Sequence, residues 1–344
     1  MRYRSPDEFD LPAVMFVNGF GDQLMSLPAM RALASIFPGG MQLLLGEGML
    51  SFFYRGLPFG DPVRLWWDDF EKKSIDVERS FPCARPCDLF LSLSTWASPS
   101  ILELARRMGA GWTVGHGAMF DHAVPLDASA HMFDLIFSVT QALRPDLRFD
   151  DFSHAPRFSP AAENAAARFV RKHAGAGKRI LFVHPETHVS KMWSPTCLQW
   201  VLGRFLDAYP DFVVFVASVS WFPLLLPRGW DRLVLIDEHL ELVLAILRHA
   251  DLFLGVDSCF LHAADLYRIP GIGLFGPTEP ERWGFRLSPR ARSIWGKGSM
   301  KGIERAPVLD CLLETAADRA QTPQSADSEC NDPARLQLTT TTNH

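Results

Sequence analysis

The strongest constraint on the fold is a repeated alternation of short, continuous apolar runs with helix-like stretches. Runs without polar interruption suit strands that are covered on both faces, as in a parallel sheet. In the first half of the chain, the pattern predicts strands at 13–17, 41–45, 63–67, 88–93 and 112–115, and helices after Asp22, near 99–108 and over 130–143.

The second half repeats this alternation more clearly. Ser-Pro pairs at 159–160 and 194–195 read as helix starts, because serine caps a helix and proline suits its first turn. Helices are predicted over 161–173, 195–208, 240–249 and 258–267, and strands over 179–184, 212–217, 233–236, 251–254 and 271–275. Alternation in both halves predicts an α/β fold of two doubly wound, Rossmann-like domains that face a cleft.

A polar, proline-containing segment at 144–160 is the best candidate for the domain boundary. We therefore expect an N-terminal domain over 1–155 and a C-terminal domain over 156–316. The residues that follow, 317–344, are polar and poor in apolar side chains, so most of this tail is expected to be disordered.

Charge and cysteine usage narrow the class of protein. The net charge is −5 and the pI about 6.1, with no basic block, so no nucleic-acid partner is expected. The longest uncharged run, 212–227, is shorter than the ~20 residues of a spanning helix and contains Pro223. Six scattered cysteines and the lack of a signal-peptide core indicate a reducing, cytoplasmic location.

Ligands of open α/β sheets bind beyond the carboxyl ends of strands, and the first polar loop in such a place is Asn18–Asp22. Glycine at position 21 permits close approach of a ligand to the backbone. Asp22 is either a cap for the helix that follows or a general base in the cleft. A third glycine of a nicotinamide-binding fingerprint is missing, since position 24 is leucine, so a dehydrogenase is not expected.

The second loop, 184–193, places Lys191 just before a helix. Helix starts favour acidic side chains, so a lysine there points to a bound anion such as a diphosphate. The alternative is that Lys191 is a solvated surface lysine and Trp193 an anchor in the core.

The third loop contains Asp257 and Ser258 at another predicted helix start. Either side chain can cap that helix, and its free N–H groups suit phosphate oxygens. Asp257 would repel phosphate, so it must cap the helix or bind a sugar hydroxyl. His262, one turn further on, is either a buried histidine or part of the site.

The fourth loop, 276–281, begins with Gly276, which would allow a nucleotide to approach the backbone. Thr278 and Glu281 match the spacing of a capping box, which gives Thr278 a structural role. No D-x-D triplet, P-loop or metal-ligand pattern occurs, so no metal site is expected. A departing diphosphate would need cationic side chains and helix termini.

Taken in order, these loops resemble glycosyltransferase family 9, the ADP-heptose:lipopolysaccharide heptosyltransferases. The resemblance covers about 13–285 and is carried by four elements: GDQLMSLPAMRAL at 21–33, KMWSP at 191–195, DSCFLHAA at 257–264 and PGIGLFGPT at 270–278.

This resemblance implies a GT-B fold and inverting, metal-independent sugar transfer without a cofactor. Asp22 would be the general base, while Lys191 and Thr187 would contact the diphosphate. Asp257, Ser258 and His262 would belong to the donor site. The expected partners are a nucleotide-sugar, ADP-heptose in the family, and an acceptor that is a glycan, a protein or a small molecule, with peripheral membrane association left open.

One departure keeps alternatives open. The glycine that the family has after Asp-Ser is Cys259 here, where a side chain would crowd a phosphate. The rival hypotheses are a GT-B enzyme with a GDP- or UDP-sugar donor and a non-catalytic nucleotide-sugar-binding protein. Trp66, Trp67 and Trp96 either line an acceptor groove or pack in the core.

Overall fold

A computed structural model describes residues 4–218 and 231–320, which form an α/β structure with two parallel sheets of six strands each. The predicted fold class is confirmed. The strands of the first sheet are β1 Pro12–Phe16, β2 Gln42–Gly46, β3 Val63–Leu65, β6 Leu89–Ser92, β7 Trp112–His116 and β8 His122–Val124. Those of the second are β9 Arg179–His184, β10 Phe212–Ala217, β11 Leu233–Ile236, β12 Leu252–Val256, β13 Gly271–Phe275 and β14 Arg292–Trp295.

The two sheets have the same strand order. The first is β3-β2-β1-β6-β7-β8 and the second β11-β10-β9-β12-β13-β14, and every neighbouring pair is parallel. Each is the doubly wound order in which the chain reverses direction beside its first strand. Ligands of such sheets bind beyond the carboxyl ends of the strands at this reversal, which here are β1 with β6 and β9 with β12. We call the unit around the first sheet the N-lobe and the other the C-lobe.

Helices connect the strands: α1 Phe20–Ile36, α2 Val77–Ser80, α3 Pro99–Arg107, α4 Met132–Gln141, α5 Pro160–His173, α6 Pro195–Ala208, α7 Leu240–Leu247, α8 Cys259–Leu266, α9 Pro280–Trp283 and α10 Arg305–Ala320. Helices α5 and α6 begin at the predicted serine caps. The Ser159 side chain accepts a hydrogen bond from Ala162 N, and the Ser194 side chain accepts one from Cys197 N.

Several elements of the structure were not predicted from the sequence pattern. A hairpin, β4 Trp67–Asp69 with β5 Ser74–Ile75, follows β3, whereas one longer strand was predicted there. The edge strands β8 and β14 are short and carry polar residues, so they lack the apolar run that marks a central strand. Helix α10 packs against α6 and continues through 317–320, where the tail was expected to begin. The rest of that predicted tail, 321–344, lies outside the described residues, as does 219–227 of the long uncharged run.

Helix α1 is buried on nearly all sides, because it lies between α4 of its own lobe and α8 of the C-lobe. Its Arg31 reaches the predicted domain boundary and donates to the carbonyl oxygens of Phe152, His154 and Ala155 at 2.5–3.1 Å. The arginine of the motif at 21–33 therefore holds the connection between the lobes. The domain limits at 155 and 316 stay predictions.

Further contacts fix the lobes against each other. His131 Nε2 lies 3.0 Å from the carbonyl oxygen of Gly284, and Arg286 pairs with Asp134 at 3.1 Å. Arg55 also pairs with Glu241 across the lobes. Among the described helices, none combines the length and the apolar character that crossing a membrane requires.

Candidate active site

Asp22 lies in the first turn of α1, directly beyond β1. The residue that caps this helix is Gly19, which makes no side-chain capping bond, so Asp22 is not the N-cap that one interpretation of the sequence proposed. The carboxylate instead receives hydrogen bonds from the Asn18 side chain and the Gly19 backbone. Burial dominates over these bonds and raises the pKa of Asp22 to about 6.

On the C-lobe, Asp257 connects three loops. Its Oδ2 accepts from Lys191 Nζ at 2.7 Å and from Thr278 Oγ1 at 2.7 Å, and its side chain is only 4% exposed. Lys191 follows β9, Asp257 follows β12 and Thr278 follows β13. The carboxyl ends of these three strands lie side by side. The predicted capping box is therefore wrong, because Thr278 donates to Asp257 and α9 is capped by Glu279 without a side-chain bond.

Helix α8 begins just after Asp257. Ser258 occupies the N-cap position but its side chain makes no capping bond, and the Asp257 carboxylate is held by Lys191 and Thr278. The Ser258 hydroxyl is buried and has no hydrogen-bond partner among the described residues. Burial raises the pKa of Cys259 to about 12, so its thiol stays protonated near neutral pH. The first N–H groups of α8 receive no capping bond from Ser258, while those of Cys259 and Phe260 face the Cys259 sulfur.

His262 joins the two lobes. Its Nε2 lies 3.9 Å from Asp257 Oδ1, and a Cβ on Gly21 would come within 3.2 Å of its ring. The glycine at 21 therefore allows the first turn of α1 to approach α8. Burial lowers the pKa of His262 to about 4, so the ring is neutral near pH 7 and contributes no positive charge to a bound anion.

The charge of Lys191 lowers the pKa of Asp22, and the charge of Asp257 raises it. The predicted acid and the predicted cation therefore lie in one gap, one from each lobe. Among the predicted site residues, the structure brings together Gly21, Asp22, Lys191, Asp257, Ser258, His262 and Thr278.

Two other predicted residues are more peripheral. Thr187 is exposed in the loop after β9. Gly276 is required by packing, because a Cβ there would lie 2.7 Å from Met300, and its carbonyl oxygen accepts from Trp295 Nε1 at 3.2 Å.

Asn18 is the side-chain partner of Asp22, although no role for it was predicted from the sequence. Its Oδ1 also accepts from Trp96 Nε1 at 3.2 Å. The available signal was its place immediately before Gly19 at the end of β1, but the sequence does not show which side chain it meets.

An open cavity of about 430 Å³ flanks the Lys191 loop, with Val189, Met192 and Met300 among its walls. Its mainly apolar lining suits an apolar group better than a diphosphate. Among the described residues, no group of three or more His, Cys, Asp or Glu side chains is arranged to hold a metal ion.

Comparisons with known proteins agree with this architecture. Residues 228–312 match the model of glycosyltransferase family 9 (heptosyltransferase). Comparison with curated protein sequences gave no significant match.

Solved structures share the fold at low sequence identity. A family 9 glycosyl transferase from Veillonella parvula DSM 2008 is 14% identical, with a TM-score of 0.71 over 89% of this chain and 97% of that chain. E. coli heptosyltransferase WaaC with ADP is 15% identical, with a TM-score of 0.66 over 89% and 100%. E. coli ADP-heptose lps heptosyltransferase II is 14% identical, with a TM-score of 0.65 over 90% and 99%.

The fold and the matched segment together define a glycosyltransferase with GT-B architecture. Within that class, the resemblance to glycosyltransferase family 9 is confirmed by the family match in the C-lobe and by the fold that both lobes share with the solved structures.

Proposed function

We propose that this protein transfers a heptose or related sugar from an ADP-sugar to an acceptor hydroxyl, with inversion and without a metal ion. The observation that carries the proposal is the meeting of Asp22 from the N-lobe with Lys191 and the start of α8 from the C-lobe. Two structural neighbours support the choice of donor, since one is E. coli heptosyltransferase WaaC with ADP-2-deoxy-2-fluoro heptose and the other is heptosyltransferase TibC in complex with ADP-D-beta-D-heptose.

Asp22 is suited to act as the general base. With a pKa near 6 it is mostly ionised at pH 7, yet it binds a proton more strongly than an ordinary carboxylate. It would remove the proton from the acceptor hydroxyl while that oxygen attacks the anomeric carbon. The bond from that carbon to the diphosphate breaks on the opposite face, so the configuration inverts.

Lys191 and the first amides of α8 are suited to stabilise the departing diphosphate. An ammonium group has three N–H donors, and Lys191 uses one of them on Asp257. The others remain for phosphate oxygens, while Asp257 and Thr278 keep the lysine oriented. The N-terminus of α8 at Ser258 adds the positive end of a helix dipole.

The test combines binding with turnover. Calorimetric titration of the full chain with ADP, GDP and UDP identifies the nucleotide, and we expect ADP to bind most tightly. With ADP-heptose as donor, ADP release should then continue in excess EDTA. Preference for GDP or UDP would indicate the rival donor, and nucleotide binding without release would indicate the non-catalytic alternative, which Cys259 favours. Transfer that EDTA stops and Mg²⁺ restores would contradict metal independence.

Cytoplasmic location and peripheral membrane association remain parts of this proposal.

A further inference from the structure

Asn18 is a half-buried residue at the carboxyl end of β1, between the buried Val17 and the N-cap Gly19. Its side chain is one of two hydrogen-bond donors to the Asp22 carboxylate, and the Gly19 backbone is the other. Of the groups that lower the pKa of Asp22, Asn18 acts most strongly, ahead of Gly19 and the charge of Lys191. This neutral amide therefore opposes the burial that favours the protonated carboxyl group.

A second contact fixes the orientation of the Asn18 amide. Trp96 Nε1 lies 3.2 Å from Asn18 Oδ1. An indole N–H only donates, and an ionised carboxylate only accepts. Both neighbours therefore require the same orientation, with the amide oxygen towards Trp96 and the NH₂ group towards Asp22. A turned amide would place N–H against N–H on one side and oxygen against oxygen on the other.

Trp96 is itself held in place by packing. It lies in the loop after β6, is half-buried, and packs together with Trp67 against the N-lobe core. The two ring centroids are 6.1 Å apart, and Lys73 Nζ lies 5.0 Å from the Trp96 centroid. Of the three tryptophans expected to line either a groove or the core, two thus pack on the core, while the Trp66 ring is covered by the guanidinium carbon of Arg79 at 3.4 Å.

The contact between Trp96 and Asn18 joins two neighbouring strand ends. Asn18 follows β1 and Trp96 follows β6, the parallel pair at which the chain reverses direction in the first sheet. An indole, an amide and a carboxylate therefore form a chain of hydrogen bonds that runs from the core of the N-lobe to the gap between the lobes. A base works best when packed neighbours of this kind hold it in its productive geometry.

We propose that Asn18 is the positioning residue of Asp22, and that Trp96 holds the Asn18 amide in the orientation that donates to the carboxylate. Asn18 acts through Asp22 and accepts no proton itself. The assignment of a base rests on the proposed function, whereas the chain of hydrogen bonds can be tested without turnover.

The ionisable groups that face Asp22 are the same in every variant described below. Lys191 and Asp257 face it from the C-lobe, and Tyr54 faces it within the N-lobe. The neutral ring of His262 approaches the first turn of α1. Burial raises the pKa of Tyr54, so its phenol stays protonated throughout the range tested.

The first test titrates Asp22 in the full chain by nuclear magnetic resonance. With carbon-13-labelled aspartate, the Asp22 carboxyl signal is the one that Asp22→Asn lacks, and its change with pH gives a midpoint. We expect Asn18→Leu, which is similar in shape, to raise this midpoint by roughly one pH unit, because the carboxylate loses a hydrogen bond. The matched control is Asn164→Leu on the exposed face of α5, which should leave the midpoint unchanged.

Two further variants separate the amide from the indole. Asn18→Asp keeps an oxygen for Trp96 but replaces the donor with a second carboxylate, so we expect a larger rise than in Asn18→Leu. Trp96→Phe keeps an aromatic ring and removes the N–H, so the amide can turn and the midpoint should rise by a smaller amount. Wild-type midpoints in both Asn18 variants would overturn the role of Asn18, and a wild-type midpoint in Trp96→Phe would overturn that of Trp96.

The pH dependence of turnover distinguishes positioning from a merely structural role. With ADP-heptose as donor, the loss of ADP release in Asn18→Leu should be about five-fold larger at pH 6 than at pH 8.5, where the carboxylate is ionised in both proteins. Equal losses at both pH values would show that Asn18 only stabilises its loop, against the proposal. Wild-type protein that binds ADP but releases none from ADP-heptose would instead refute the transferase, and the midpoints would still test the chain of hydrogen bonds.

Discussion

Two aspartates beyond the carboxyl ends of strands, one in each lobe, are held in opposite ways. Asp22 follows the first strand of its lobe and accepts hydrogen bonds from two neutral amides, the Asn18 side chain and the Gly19 backbone. Asp257 follows the fourth strand of its sheet and is bound by an ammonium group and a hydroxyl. A carboxylate that must accept a proton needs to lack a cationic partner, whereas one that orients a lysine needs that partner. The same strand order therefore supports a base in one lobe and an anion site in the other.

The largest effect should come from removing the base. We expect Asp22→Asn to lower the rate of sugar transfer by about 10²–10⁴, because general-base catalysis contributes this much, and to leave nucleotide affinity nearly unchanged. Steady-state release of nucleoside diphosphate measures the rate, and calorimetry measures the affinity. The matched control is Asp61→Asn, an exposed acid of the N-lobe. Turnover at the wild-type level in Asp22→Asn would remove this residue from the mechanism.

The next largest effect should appear on the C-lobe. We expect Lys191→Ala to weaken nucleoside diphosphate binding by roughly 10- to 100-fold, since it removes a charge-assisted contact and leaves Asp257 without its cation. Lys301→Ala is the control, because Lys301 is an exposed lysine beside the neighbouring cavity. Equal affinities in the two variants would show that Lys191 does not contact the ligand.

The burial of the Asp22 carboxylate should also be measurable as an effect on stability. The folded-state pKa, near 6, lies above the ordinary value of 3.8, so the folded protein binds more protons between these pH values and loses stability as the pH rises through them. Asp22→Asn removes this penalty and should raise the free energy of unfolding by up to about 3 kcal/mol at pH 8. The gain should disappear near pH 4. Urea unfolding at both pH values tests this, and a gain that persists at low pH would point to another cause.

The smallest effect concerns the hydroxyl partner of Asp257. Thr278→Val keeps the shape of the side chain but removes a hydrogen bond of about 1 kcal/mol. Because Lys191 still neutralises Asp257, we expect only a few-fold loss of nucleotide affinity. A loss as large as that of Lys191→Ala would mean that the hydroxyl itself contacts the donor.

The fold could be predicted from the sequence because it depends on local patterns, and the same patterns predicted which side chains follow the strand ends. Apolar runs identified the central strands, and polar loops after them placed Asp22, Lys191 and Asp257 at carboxyl ends. The pairing of Lys191 with Asp257 could not be predicted, because it joins side chains 66 positions apart. The capping box at Thr278 failed for the same reason, since a local pattern gave no sign of a partner from another loop. The roles proposed for these residues await the experiments above.

Convergence of the two lobes on one anion is tested most directly by proton uptake during ADP binding. The positive charge of Lys191 lowers the pKa of Asp22, so a diphosphate that engages this lysine should raise that pKa further. Calorimetric titrations near pH 6 in buffers of different ionisation enthalpy measure the protons taken up. The account predicts greater uptake by wild-type protein than by Asp22→Asn, whereas equal uptake in both would show that the diphosphate does not bind near Asp22.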